Sequence, residues 1–233
     1  MEDFSIQIGE VLKDVSSFIW GWPMIIMLLG THLYLTFRLK FPQRKIFTAI
    51  KLSVKRDKKV KSEGDVSPFA ALATALAATI GTGNIIGVAT AIQLGGAGAV
   101  LWCWLTGIFG MSTKYAESLL SVKYRVKTSD GKMLGGPMYT LERGLNMKWL
   151  GVVFAVFTAI AAFGIGNTVQ ANAISENVAE IFGTSDTQTV KFIVGGVLAL
   201  LVGVVIIGGV KSISKMCTAI VPFMARFYIL GCV

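Results

Sequence analysis

The stretch Ala77-Ala78-Thr79-Ile80-Gly81-Thr82-Gly83-Asn84-Ile85-Ile86-Gly87 lies inside a run of 48 consecutive residues, Val66 to Thr113, with no Asp, Glu, Lys or Arg. A bilayer crossing takes about 20 predominantly apolar residues, so such a run reads as membrane-embedded. Within it two glycines bracket Thr82, and Asn84 follows. Glycine costs about 1 kcal/mol relative to alanine in a helix interior. Two of them with polar neighbours predict an interrupted helix, which at membrane depth is tolerated only where protein or water covers the freed backbone. An unwound stretch offers main-chain carbonyls to a cation and N–H groups to an anion, as in transporters built on discontinuous helices. The same small residues also suit close helix packing, and the bare pattern leaves both readings open. A dinucleotide-binding turn, approximated by Gly81-x-Gly83-x-x-x-Gly87, is rejected. It needs a preceding strand and an acid about 20 positions later, whereas the flanks are helical alanines and the next acid is Glu117.

The rest of the chain agrees with a polytopic, all-α membrane protein. Of its 233 residues 54% are hydrophobic and 15% charged, against about 25% charged in soluble domains. A second charge-free run of 27 residues extends from Trp149 to Ser175. Spans are predicted near 18–37, 66–94, 100–122, 149–181 and 192–210, with a sixth starting near Met216 and still apolar at Val233. A backbone ending inside the hydrocarbon would leave carbonyls unsatisfied, so the chain is expected to be the N-terminal portion of a longer protein. The basic residues behind the net charge of +9 are concentrated in short loops. Ten of the 22 Lys and Arg lie between Arg38 and Lys61, six between Lys123 and Lys148, and two at Lys211 and Lys215. That distribution marks cytoplasmic loops rather than a nucleic-acid surface, and places the N-terminus outside a cell membrane crossed several times. Cys103, Cys217 and Cys232 have no paired spacing and read as small apolar residues. The acidic start, Met1 to Glu10, lacks the basic region of a cleaved signal peptide.

A second polar island, Gly164-Ile165-Gly166-Asn167-Thr168-Val169-Gln170-Ala171-Asn172, falls inside the fourth span. Amides are expensive against lipid, so Asn167, Gln170 and Asn172 are expected to face a cavity or another helix. Asn167 and Gln170, three apart, would share a helix face. Gln170 reads as site lining and Asn172 as an interhelical hydrogen-bonding residue. Lys114 and Glu117 are spaced to neutralise each other. Glu176 and Glu180 lie one turn apart toward the outer end, Arg226 should have a partner, and His32 reads as packing.

Gly95-Gly96-Ala97-Gly98-Ala99-Val100-Leu101-Trp102-Cys103-Trp104-Leu105-Thr106-Gly107 resembles the signature stretch of the alanine/glycine:cation symporter family, with Cys103 where Met is expected. Ala78 to Ile85 and Gly135-Gly136-Pro137-Met138-Tyr139 also match that family's pattern. The resemblance implies a leucine-transporter-type fold of five plus five helices in inverted repeats. An extra helix and basic loop (1–65) would precede the first repeat (66–233), with a discontinuous helix near 79–84. The partner of this half would be the second repeat of the same transporter, and sodium would be co-transported with alanine or glycine. On that resemblance the Asn84 side chain and Thr79 carbonyl hold one sodium, and the Ala77 and Ile80 carbonyls could contribute to a second. The Thr82 and Gly83 N–H groups, beside Gly81, meet the substrate carboxylate, and Asn167 and Gln170 stand where the wider superfamily often uses Tyr.

Two other classes compete. A cation channel should present rings of carbonyls or carboxylates from a symmetric oligomer. A membrane-embedded enzyme would need an intramembrane nucleophile or metal set, which only Lys114 and Glu117 approach; the chain is expected not to be an enzyme.

Overall fold

The computed structural model describes residues 2–54, 66–183 and 187–232. These form α1 (Glu2–Ile19), α2 (Trp22–Arg38), α3 (Ile46–Val54), α4 (Pro68–Thr79), α5 (Val88–Gly95), α6 (Gly98–Lys123), α7 (Pro137–Gly144), α8 (Lys148–Ala161), α9 (Val169–Phe182), α10 (Thr187–Ile207) and α11 (Gly209–Cys232). A minimal antiparallel ribbon departs from the all-α expectation, with Val126 opposite Leu134 and Lys127 opposite Met133. Among the described residues, four helical stretches have the length and apolarity of a span, and the bent pair around Gly81 makes a fifth. Helix α6 falls short on apolarity because Ser112, Thr113, Lys114 and Glu117 sit in it. Its 26 residues nevertheless reach about 39 Å at 1.5 Å per residue, enough to cross.

Two segments share the sequence Gly-x-Gly-Asn, at Gly81 to Asn84 and at Gly164 to Asn167, and both abandon the α-helix. After Thr79 the chain turns through Ile80, whose backbone is extended (φ −85°, ψ 97°). It re-enters as a π-helical turn, Gly83–Gly87, continuous with α5, and the two halves are bent by 52°. In the fourth span a π-helical turn, Ala162–Thr168, separates α8 from α9. Paired glycines weaken the interior of a helix, and the Thr168 hydroxyl donates to Phe163 O at 2.7 Å, five residues back, in step with the wider π turn.

The helices pack as α4 with α11, α2 with α6, α7 with α8, α9 with α10, and α5 with α6. The α2–α6 seam is polar. Thr36 and Ser112, both fully buried, share a 2.8 Å hydrogen bond. His32 Nδ1 and Thr113 Oγ1 lie 2.7 Å apart, and Gln43 Nε2 donates to Ser112 Oγ at 2.8 Å and Ile108 O at 3.0 Å. His32 therefore joins two helices, as the packing reading expects. The Gly135-Gly136-Pro137 turn is held by contact: a Cβ on Gly135 would lie 2.8 Å from Ser121 O, and Gly136 has φ +130°. Gly151 likewise lets α8 approach Met138 O, which its Cβ would meet at 2.8 Å.

The N-terminal segment is helical, as α1. One feature differs from the sequence reading. Helix α11 begins at Gly209 rather than near Met216, so Arg226 sits about 26 Å along it by helical rise and not ten residues into the span. Arg226 is exposed and has no ion pair among the described residues. The outer connection expected at 183–189 is partly outside the described residues, which resume at Thr187.

Candidate functional site

The break in the second span leaves polar groups without helical partners, and the structure brings the fourth span to meet them. The Thr82 hydroxyl donates to Gln170 Oε1 at 2.8 Å, and the Thr82 N–H reaches the same oxygen at 3.4 Å, a length at which little energy remains. A Cβ on Gly81 would stand 3.4 Å from Gln170 Nε2, so the glycine lets the amide come close. Neither Gly81 nor Gly83 has positive φ. What Gly81 contributes is room for Gln170, while around Gly83 a Cβ would meet nothing within 4 Å. A side chain at 83 would therefore enter the open space beside the break rather than clash with protein.

The residues assigned to sodium also adjoin. Asn84 Nδ2 donates to Thr79 O at 2.9 Å, and Asn84 N–H reaches back to Gly81 O at 3.1 Å. Thus the Asn84 amide and the Thr79 carbonyl occupy one corner of the break, with a proton between them. A helix leaves its last carbonyls unpaired. Here Leu76 O is met by Ile80 N–H, and among the described residues no backbone donor reaches Ala77 O or Ile80 O. All these oxygens are neutral. They can replace part of a monovalent cation's water shell with no net protein charge, provided the Asn84 amide turns its oxygen toward Thr79 O.

Asn167 and Gln170 both line a cleft of about 470 Å³ between α9 and α10, opposite Gly195, Ala199 and Gly203. Asn167 lies within the π turn, exposed, and only Gln170 reaches Thr82. Asn172 turns away, its Nδ2 donating to Glu176 Oε1 at 2.8 Å, and that carboxylate lies 3.6 Å from Lys191 Nζ. Lys114 and Glu117 pair at 3.0 Å. The described residues contain no cluster of His, Cys, Asp and Glu that could hold a metal ion. Missed by sequence reasoning was the polar cluster around Gln43. Its signal was there, in His32 and Thr36 one turn apart facing Ser112 and Thr113.

Residues 5–233 match the model of the sodium:alanine symporter family. The chain is 53% identical to the sodium/alanine symporter AgcS of Methanococcus maripaludis over 95% of its length and 49% of the relative's. It is 40% identical to a putative sodium/proton-dependent alanine carrier, YrbD of Bacillus subtilis, over 95% of the chain and 44% of the relative. It is 37% identical to a probable sodium/glutamine symporter, GlnT of the same bacterium, over 94% and 45%. The chain spans about half the length of these curated relatives. A broken apolar helix met by an amide from the fourth span, within a match over nearly the whole chain, leaves one conclusion: the chain belongs to the sodium:alanine symporter family.

Proposed function

We propose that the protein is a sodium-coupled symporter that takes up small neutral amino acids, alanine or glycine, by alternating access. Residues 1–65 would supply an extra helix and basic loop, and 66–233 the first of two inverted five-helix repeats, in a plasma membrane with the N-terminus outside. The observation that carries this reading is the convergence of Thr82 and Gln170 on the helix break. A zwitterion needs both a positive and a negative receptor without a net-charged pocket. The Thr82 and Gly83 N–H groups at the start of the outer half-helix present the favourable end of the peptide dipoles to a carboxylate. The oxygens of Thr79 and Asn84, with those of Ala77 and Ile80 as a second set, suit a monovalent cation beside it. Gln170, with Asn167 lining the adjoining cleft, fixes the break and contacts the substrate. Cation and carboxylate then lie side by side, and each improves the other's binding, which must be reciprocal.

The test is uptake of labelled alanine by the full-length protein in liposomes, with sodium, potassium and proton gradients imposed separately. Saturable accumulation driven by inward sodium is the expected result. Accumulation under a proton gradient without sodium would overturn the coupling ion. Non-saturating flux of cations without alanine would overturn symport in favour of a channel.

A further inference from the structure

We propose that α3 is an in-plane membrane anchor that binds the anionic headgroups of the leaflet into which α2 and α4 both open, and so holds the inner half of the broken helix. This rests on the transport reading only in taking α2 and α4 as membrane-embedded. Helix α3 has no buried residue. At 100° per residue Ile46, Phe47, Ile50 and Val54 fall within an arc of about 100°. All four are exposed, Phe47 at 82%. Lys51 flanks that arc, and Arg38, Lys40, Arg44 and Lys45 precede it within one short connection.

Lys40 and Phe41 take left-handed backbone (φ 56° and 60°) and end α2. Pro42–Lys45 then forms a 3₁₀ turn leading straight into α3. Phe41 stays beside this turn, with the Arg44 guanidinium 5.3 Å from its ring. Between Asp14 and Glu117 the sequence has three acids, Asp57, Glu63 and Asp65, in a stretch after α3 that also carries Lys55, Arg56, Lys58, Lys59 and Lys61. Among the described residues none of the five cations of 38–51 makes an ion pair. A short helix with an apolar edge and a basic border fits a bilayer interface. Basic clusters just cytoplasmic of a span favour anionic lipid. Charge complementarity thus selects an anionic lipid surface over a second copy of a chain that is itself strongly basic. Helix α3 also contacts α4, so an anchored α3 restrains the half-helix that ends at the break.

The test uses the full-length protein with Ile50→Cys carrying an environment-sensitive fluorophore. It is reconstituted in vesicles of phosphatidylcholine alone or with added phosphatidylglycerol. In anionic vesicles the probe should be quenched by a lipid-embedded quencher and protected from aqueous iodide. Neutralising Arg44, Lys45 and Lys51 to Gln should shift it toward iodide access, by about fivefold per cation removed at roughly 1 kcal/mol each. Equal iodide access in both vesicle types would overturn the proposal. So would equal protection in both vesicles and in detergent, which would mean that protein covers the arc. Neither readout requires transport, so a failed anchor and a failed symport reading are told apart.

Discussion

The Thr82–Gln170 contact can be tested by a double-mutant cycle. The hydroxyl donates to Gln170 Oε1 at 2.8 Å, a neutral and partly buried hydrogen bond worth about 1 kcal/mol net. The backbone N–H at 3.4 Å adds little. Thr82→Val removes the hydroxyl at constant shape, and Gln170→Leu removes the acceptor. Each should weaken alanine binding by about 1–2 kcal/mol, because each loosens the same contact between the break and α9. The double variant should be scarcely worse than either single one, giving a coupling of about 1 kcal/mol, or roughly fivefold in affinity. Thr82→Ser keeps the hydroxyl and should stay near wild type. The assay is equilibrium binding of labelled alanine to the full-length protein at saturating sodium. Strictly additive losses would mean that the two side chains act independently, and the idea that Gln170 organises the break would be wrong.

Asn84→Ala should raise the sodium concentration needed for half-maximal uptake and, by linkage, weaken alanine binding. An unaltered sodium dependence with measurable transport would remove Asn84 from the cation site. Gly135→Ala and Gly151→Ala should each lower the melting temperature, since their Cβ atoms would meet backbone oxygens at 2.8 Å; Gly83→Ala, with nothing near, should fold normally yet obstruct uptake. A cysteine at Gln188 should react with an impermeant reagent in intact cells, and one at Asp130 only after permeabilisation; the reverse pattern would invert the topology.

What the sequence made legible is the chemistry that is costly in a bilayer. Gly81, Gly83 and Asn84 announce a break because each is unfavourable in an apolar helix, and Gln170 because an amide must find a partner. Contacts that depend on helix phase were not legible. Asn167 and Gln170, three apart, do line one cleft, but the spacing did not tell that only Gln170 reaches Thr82. Arg226 looked only ten residues into its span because Lys211 to Lys215 read as a loop, whereas they lie inside α11. The His32–Thr36–Gln43 cluster needed α6 alongside α2 before its polar atoms could be paired. Even then, among the described residues, Gln43 Oε1 is buried without a hydrogen-bond partner.

The π turn in the fourth span is therefore more than an irregularity. Each residue of an α-helix advances about 100°, so an extra residue taken up by a π turn rotates everything after it by about that angle. Helix α8 is fixed against α7, where Gly151 admits Met138 O, and α9 is fixed against α10. The turn between them sets which side chain of α9 faces the break, and Gln170 is the one that does. Replacing Gly164 and Gly166 by Ala, where a Cβ meets nothing closer than 3.9 Å, favours ordinary α-helix at unchanged residue count and should turn Gln170 away from Thr82. Alanine affinity should then fall as far as in Gln170→Leu, and adding Gln170→Leu to the double alanine variant should change nothing more. If the double alanine variant binds alanine as wild type, and Gln170→Leu still costs its full amount in that background, the phase of α9 is set elsewhere and the π turn is only tolerated.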